Sequence, residues 1–310
     1  MDNMKRSSKP ILVTGSHRSG TTWAGRMISA APHVAYIHEP FNPDTNVGMR
    51  PNPFKNWFQY VCDENSEDYA QIIDEIVYFK HPLGHNSTKI KTTRNIARVI
   101  RDQGLCLLHK INSDRPLIKD PIAFFSAEWL YKRYNMNVLV LLRHPAAFCS
   151  SIKLKNWEFD FNNFLKQPLL MERYLYPFEK EIEEFAKSRK NIIEQGILLW
   201  NCFHNTIKIY QEKYPQWLFI KHEDLSADPI NQFQLIYKKL GVEFTEKAKK
   251  VILKSSGAHN PVEQGAENEF FRDSKANIMN WKKRLRQEDI FQIRLNTSEI
   301  AGSFYPDAEW

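Results

Sequence analysis

The stretch Ile11–Trp23 limits most strongly what this chain can fold into. A short apolar strand runs into a turn of glycine and serine, and a helical pattern follows at once. Such a unit directs backbone N–H groups and the positive end of a helix dipole at one point, which suits a phosphate. Gly15 and Gly20 have the spacing of a triphosphatase loop, but Thr21 stands at its lysine position and the cation is Arg18, within the turn. The pattern predicts a phosphate-binding loop without the usual triphosphate clamp.

Further apolar segments alternate with helical patterns along the chain. Strands are predicted at 116–119, 137–143 and 217–220, and helices at 123–134, 146–157, 194–210 and 229–240. Gly241 directly follows the last of these helices, as a C-cap does, and His204 is expected to face the core. Continuous apolar strands that alternate with helices are typical of a parallel sheet with both faces covered. The predicted fold class is α/β, with a central parallel sheet between two layers of helices.

We expect one domain over residues 1–310, with insertions at about 42–100 and 156–190. Residues 42–56 are rich in proline, asparagine and glycine and predict a surface loop. The second insertion is aromatic and charged. Insertions after strands often form lids or substrate walls, and the sequence leaves that role and plain core packing both open.

The charge balance favours anionic partners, because the formal net charge is +7. No run of five or more basic residues marks a nucleic-acid tail, so a nucleic-acid partner is not expected. The sequence contains no apolar stretch long enough for a transmembrane anchor and no apolar signal region after the basic start. Its four cysteines are far apart, which predicts reduced thiols, no metal site and a cytoplasmic location.

A second candidate phosphate site lies where the predicted strand 137–143 ends. Arg143 closes this strand, and the helix that follows carries Ser150 and Ser151. A guanidinium group offers a planar fork to a phosphate, and a hydroxyl on the next helix can complete the pocket. The alternative is an arginine that only caps the sheet edge.

These residues resemble the sulfotransferases that use 3′-phosphoadenylyl sulfate (PAPS). In that family a lysine or arginine precedes Ser-Gly-Thr-Thr in the 5′-phosphosulfate loop, and the matching residues here are Arg18, Ser19, Gly20, Thr21, Thr22 and Trp23. Arg143, with Ser151 eight residues later, resembles the 3′-phosphate element. The resemblance implies a P-loop-like fold, PAPS as co-substrate, 3′,5′-adenosine bisphosphate (PAP) as product, and no metal.

The resemblance also implies catalytic roles. Transfer of a sulfuryl group to a hydroxyl needs a base, and Glu39, at the end of a short second strand, fits the glutamate of carbohydrate- and protein-type members. Its competitor is His38. Charge on the leaving oxygen would be stabilised by Lys119, at a strand end, or by Arg18. Cytosolic small-molecule members have Lys-x-His where this chain has a proline after Asp120, and the missing histidine favours Glu39 as the base. For Asp120 itself we consider pairing with Lys119 or a secondary acid–base role.

Later segments match the family less closely. Ser274 and Lys275 occupy the place of its late basic loop near the 3′-phosphate, although the Arg-Lys-Gly-x-x-Gly pattern is absent. The segment His222–Leu225 resembles a Tyr-Glu-Asp-Leu segment of the family and is expected to be structural.

The predicted function is transfer of the sulfuryl group of PAPS to an acceptor hydroxyl by in-line displacement, with a glutamate base. The acceptor is expected to be a sugar, a lipid or a small alcohol. One alternative is a P-loop nucleotide kinase that transfers a phosphoryl group from ATP with Mg²⁺; Thr21 at the lysine position speaks against it. Another is a nucleotide- or polyanion-binding module without catalysis, which the positive charge would suit.

Overall fold

A parallel sheet organises the fold in the computed structural model, which describes residues 9–44, 52–80, 104–262 and 271–310. Within these ranges the sheet has five strands in the order β2-β3-β1-β4-β5, and every pairing is parallel. The strands are β1 (Ile11–Gly15), β2 (Val34–His38), β3 (Arg115–Lys119), β4 (Asn137–Leu142) and β5 (Leu218–Lys221). The α/β prediction is confirmed, and the predicted strands lie within one residue of the observed ones.

Helices connect the strands and flank the sheet. The longer helices are α1 (Thr21–Ile28), α2 (Glu67–Val77), α3 (Ala127–Tyr134), α4 (Pro145–Lys155), α5 (Glu179–Lys187), α6 (Ile192–Lys213), α7 (His222–Ala227), α8 (Pro229–Leu240), α9 (Glu246–Ser256) and α10 (Gln287–Ala301). Shorter helical segments are Phe124–Ser126, Asn162–Leu165, Pro168–Leu170, Met171–Leu175, Tyr176–Phe178, Ser274–Asn277, Trp281–Arg284 and Asp307–Glu309, and residues 104–111 are helical as well. None of the helices described here is long and apolar enough to span a bilayer.

Sequence signals explain where several helices begin and end. Asn191 caps α6, because its side chain accepts N–H bonds from the first turn while Glu194 bonds back to the cap. Gly241 ends α8 in the left-handed conformation, with a φ of 65°, as predicted. Asp228 and the proline after it begin α8.

The strands divide the core into two clusters, one on each face of the sheet. Leu12 belongs to one cluster, while Ile11 and Val13 belong to the other, because successive side chains of a strand point to opposite faces. The larger cluster contains most aromatics of the predicted second insertion, among them Phe159, Phe161, Phe164 and Tyr174. These rings therefore serve core packing, one of the two roles left open.

The predicted insertion at about 42–100 is described only in part, since residues 45–51 and 81–103 lie outside the described ranges. Its described portion is not wholly a surface loop. Phe54 is buried and its ring stacks on Phe41 at 4.1 Å between centroids. Residues 54–62 add further side chains to the larger core cluster.

Four buried histidines should make the fold sensitive to acid. Burial lowers the pKa of His17, His144 and His204 to about 3, and it lowers the pKa of His222 well below 6.5. Since the folded protein then binds fewer protons than the unfolded chain between pH 3 and 6.5, the free energy of unfolding falls as the pH is lowered. Each histidine should cost about 2 kcal/mol between pH 7 and pH 5.

Urea unfolding curves at pH 7, 6 and 5 measure this dependence. The variant His204→Leu should remove the contribution of one buried histidine, about 2 kcal/mol between pH 7 and pH 5, because that group no longer titrates. A free energy of unfolding that stays constant between pH 7 and 5 would contradict the prediction.

The expectation that His204 faces the core is met, since its ring is fully buried and stacks on Trp200.

Candidate active site

The loop between β1 and α1 has the backbone that the sequence predicts for an anion cradle. Gly15, Arg18 and Gly20 all have positive φ angles, of 138°, 64° and 90°. A Cβ at Gly20 would lie 2.4 Å from His222 Nδ1, and one at Gly15 would lie 2.3 Å from the Leu141 carbonyl oxygen. Glycine is therefore required at both positions by conformation and by space.

The loop's own side chains serve mainly to hold its shape. The Ser19 hydroxyl donates to the Ser16 carbonyl at 2.6 Å, and both serines are buried. Thr21 is buried in the first turn of α1, and Thr22 is half-buried. What the loop offers to an anion is thus its backbone N–H groups at the helix start, together with Arg18.

The two predicted phosphate elements lie side by side. The strands β1 and β4 are neighbours, with Gly15 opposite Leu141. Arg18 Nε donates to Ser151 Oγ at 3.0 Å, and Arg143 Nη1 donates to the Arg18 carbonyl oxygen. The structure therefore brings Arg18, Arg143 and Ser151 into one cluster at the carboxyl edge of the sheet.

Arg143 is the centre of a cluster of positive charges. Its pKa is lowered to about 10, mainly by burial and in addition by the charges of Arg18, Arg272 and Arg284, whereas the charge of Glu223 opposes the shift. Its Nε atom is buried and has no hydrogen-bond partner in the part of the chain that the structure describes. A guanidinium group with an unused donor, surrounded by other cations, is suited to an anion.

Glu39 and Lys119 form an ion pair at the ends of β2 and β3. Lys119 Nζ donates to Glu39 Oε1, and the Glu39 backbone N–H donates to the Lys119 carbonyl oxygen at 2.9 Å. The lysine side chain is fully buried, while 19 % of the glutamate side chain is exposed. Burial lowers the pKa of Lys119, and Glu39 counteracts this. Gly25 leaves room for the lysine, since a Cβ there would lie 2.9 Å from Lys119 Cγ.

His38 lies next to this pair but is more open to solvent. Its Nε2 atom is 3.9 Å from Glu39 Oε2, and 55 % of its side chain is exposed. Its Nδ1 atom lies 3.3 Å from the Tyr36 hydroxyl. Burial and the charge of Lys119 lower its pKa. Both candidate bases are therefore at the same edge as the loop, and Glu39 is the one bound to the buried cation.

Asp120 connects two loops through hydrogen bonds, a role that was not predicted from the sequence. Its carboxylate accepts backbone N–H bonds from Phe41 at 2.7 Å, Ile122 at 2.8 Å and Ala123 at 3.2 Å. Burial raises its pKa to about 7, and the bonds from Phe41 and Ile122 oppose the rise. Asp120 thus fixes the chain that follows Glu39 against the chain that follows Lys119.

The structure places Ser274 and Lys275 in a groove of about 520 Å³ beside α7, α8 and α9. The Ser274 hydroxyl is directed inward and donates to the Ser226 carbonyl at 2.8 Å. It therefore connects the short helix Ser274–Asn277 to α7. From the same segment, Arg272 is the residue whose charge acts on Arg143.

Trp23 and His222 contact each other behind the loop. The Trp23 indole N–H donates to Ser255 Oγ at 3.1 Å, and its ring meets His222 edge-on. His222 was expected to be structural, but its place beside Gly20 was not predicted from the sequence. Its Nδ1 atom is buried beside Gly20 without a partner among the described residues, and burial holds its pKa well below 6.5. Its match to the tyrosine of the family's Tyr-Glu-Asp-Leu segment was the available signal.

A parallel sheet with a glycine-containing strand-to-helix loop and a cluster of arginines at its carboxyl edge defines a P-loop-like α/β protein. The chain belongs to the sulfotransferase family, whose model matches residues 10–246. The predicted resemblance is therefore confirmed at the level of the family, and with it the class of activity, sulfotransfer. Nothing in these comparisons supports the kinase alternative.

Solved structures agree in fold. A sulfotransferase domain from the curacin biosynthetic pathway has a TM-score of 0.52 at 13 % identity, over 96 % of this chain and 98 % of that one. A sulfotransferase domain from the Synechococcus PCC 7002 olefin synthase has a TM-score of 0.52 at 15 % identity, over 97 % of both chains. A search of curated proteins gives no match.

Proposed function

We propose that this protein transfers the sulfuryl group of PAPS to the hydroxyl of a sugar, lipid or small alcohol, and releases PAP. The observation that carries the proposal is the Glu39–Lys119 ion pair, which lies at the same sheet edge as the loop and the cluster around Arg143. A carboxylate to take a proton and a buried cation to stabilise a leaving oxygen are the two groups that sulfuryl transfer needs.

The proposal assigns the two phosphates of PAPS to two neighbouring elements of this edge. The N–H groups at the start of α1, with Arg18, would hold the 5′-phosphosulfate. Arg143 and Ser151 would hold the 3′-phosphate, supported by the charge of Arg272. Because Arg18 is bonded to Ser151 across β1 and β4, one ligand with phosphates at two positions could engage both elements together.

The proposed reaction moves one proton and one sulfuryl group. Glu39 takes the proton of the acceptor hydroxyl as its oxygen attacks sulfur. The bond from sulfur to the 5′-phosphate oxygen breaks in line, and its electron pair stays on that oxygen. Once Glu39 is protonated its attraction for Lys119 falls, so the ammonium group becomes available to the leaving oxygen. Arg18 is the alternative cation for that role.

Ligand-induced stabilisation tests the proposal without any knowledge of the acceptor. PAP at a hundredfold excess over its dissociation constant should stabilise the fold by about 2.7 kcal/mol, and ATP with Mg²⁺ should have much less effect. Thermal unfolding with each ligand at equal concentration measures this. A preference for ATP with Mg²⁺ would contradict the proposal and favour a kinase.

The single domain over residues 1–310 and the cytoplasmic location remain predictions.

A further inference from the structure

Glu39 has an unusual backbone conformation for a residue that directly follows a strand. Its φ angle is 43°, in the left-handed region that residues with a Cβ seldom adopt. The next residue is Pro40, and a residue before proline ordinarily stays extended. In the described ranges no other non-glycine residue with a positive φ precedes a proline. Such a conformation persists only where the surrounding structure holds it.

The alternation of side chains along β2 shows what this conformation achieves. Tyr36 and His38 lie on one face of the strand, where the Tyr36 hydroxyl is 3.3 Å from His38 Nδ1. Lys119 of β3 lies on the same face, since a Cβ at Gly25 would be 2.9 Å from Lys119 Cγ and 3.0 Å from Tyr36 Cε2. If β2 continued in the extended conformation, the Glu39 side chain would point to the opposite face. The left-handed conformation interrupts the alternation, and the carboxylate meets Lys119 Nζ.

Asp120 holds the turn that begins at Glu39. The Asn42 N–H donates to the Glu39 carbonyl oxygen at 3.2 Å, which makes residues 39–42 a β-turn with Pro40 in its second position. In a β-turn the N–H of the third residue, here Phe41, has no partner within the turn. The Phe41 N–H donates to Asp120 Oδ2 at 2.7 Å, and both residues are fully buried. The carboxylate therefore holds the turn from outside.

Asp120 is itself fixed to the sheet on several sides. Its backbone N–H donates to the Val13 carbonyl oxygen at 3.0 Å, and its carbonyl oxygen accepts from Thr14 Oγ1 at 2.8 Å. Its Oδ1 atom accepts the N–H groups of Ile122 and Ala123, at 2.8 and 3.2 Å. The carboxylate thus has a set position relative to β1 and β3, so it can keep the turn after β2 in one conformation.

We propose that Asp120 is a positioning residue of the catalytic pair, because it holds the turn in which the Glu39 carboxylate is directed at Lys119. This rests on the proposed function, in which Glu39 is the base and Lys119 stabilises the leaving oxygen. Asp120 needs no contact with PAPS or with the acceptor, since it acts on Glu39 through the backbone of Phe41. The role differs from both roles that were considered from the sequence, pairing with Lys119 and secondary acid–base catalysis.

The variant Asp120→Asn tests this role. It keeps the size of the side chain but replaces one acceptor oxygen with an NH₂ group, so the bond from Phe41 or the bonds from Ile122 and Ala123 are lost. The rate of acceptor sulfation at saturating PAPS should fall about ten- to a hundredfold, since a displacement of about 1 Å is enough for such a loss. The affinity for PAP should change less than about twofold, because the phosphate elements follow β1 and β4.

Thr14→Val is the matched control for a merely structural role. It removes a buried hydrogen bond to the carbonyl oxygen of Asp120 but leaves the bonds of the carboxylate, so the rate should fall by no more than a few fold. Equal losses of rate in the two variants would overturn the proposal.

A double variant tests whether Asp120 acts through Glu39. The double variant Glu39→Gln with Asp120→Asn should be slower than Glu39→Gln alone by no more than about twofold, because the base that Asp120 positions is already absent. If the fold loss in the double variant equals the product of the two single losses, Asp120 acts independently of Glu39 and the proposal is wrong.

Two further measurements need no activity. In a crystal structure of Asp120→Asn, the Glu39 φ angle should leave the left-handed region or the ion pair with Lys119 should open; a variant that keeps both would contradict the proposal. In the unmodified protein, the Phe41 amide should be strongly protected against hydrogen exchange, and this holds as a test even if Asp120→Asn does not fold. Rapid exchange of that amide would also contradict the proposal.

Failure of the proposed function looks different from failure of this inference. In that case the unmodified protein would transfer no sulfuryl group from PAPS, whereas the Phe41 amide would still be protected and the Glu39 conformation would still depend on Asp120.

Discussion

Replacing Glu39 with glutamine is expected to lower the rate of acceptor sulfation about a thousandfold, which is within the range for loss of a general base. The amide keeps the size of the side chain but cannot take the proton of the acceptor hydroxyl. Binding of PAP should change little, because the phosphate elements lie on β1 and β4 whereas Glu39 follows β2. The rate is measured with labelled PAPS and an acceptor found by screening glycans, lipid extracts and small alcohols.

His38→Asn is the matched control for the base assignment. It removes the neighbouring competitor, which lies 3.9 Å from Glu39 and is mostly exposed, so the rate should fall by no more than a few fold. The opposite pattern, a large loss in His38→Asn and a small one in Glu39→Gln, would assign the base to His38. Two small losses would contradict both assignments.

Replacing Lys119 with methionine is expected to lower the same rate by about a hundred- to a thousandfold. The change keeps most of the length of this fully buried side chain but removes its charge, so the leaving oxygen would lose its cation. It also removes the partner of Glu39. Rates with saturating PAPS separate this effect from weaker binding.

The double variant Glu39→Gln with Lys119→Met tests whether the two side chains act together. Since the two side chains act as one unit, the double variant should be only slightly slower than the slower single variant. If the fold loss of rate in the double variant equals the product of the two single losses, the two side chains have independent roles. Arg18→Met tests the other candidate cation for the leaving oxygen. If Arg18→Met lowers the rate at saturating PAPS more than Lys119→Met does, the stabilisation of the leaving oxygen is assigned to Arg18.

Much of the fold could be predicted because its signals are local. The apolar runs of β1 and β4, the turn at Gly15–Gly20 and the cap at Gly241 each depend on residues close by in the chain. The loop's need for glycine could be expected from its pattern, although the atoms that enforce it, in His222 and Leu141, could not. Those atoms belong to other strands and helices.

The candidate site could be predicted only as separate pieces. Arg18 and Ser151 were expected to bind opposite ends of one ligand, and the structure shows them bonded to each other. Ser274 was assigned to the late basic loop near the 3′-phosphate, and the structure adds that its hydroxyl donates to the Ser226 carbonyl.

The sequence alone determined the glycine-containing loop, the parallel α/β class and the choice of Glu39 and Lys119 as candidates. Only the tertiary structure decided which of these side chains meet. Glu39 and Lys119 are 80 residues apart and Arg18 and Ser151 are 133 apart, yet each pair is in contact. The reason is the strand order, in which β3 lies between β2 and β1, while β4 lies on the other side of β1. Hydrophobic periodicity predicts that strands form, but it does not state the order in which they pair.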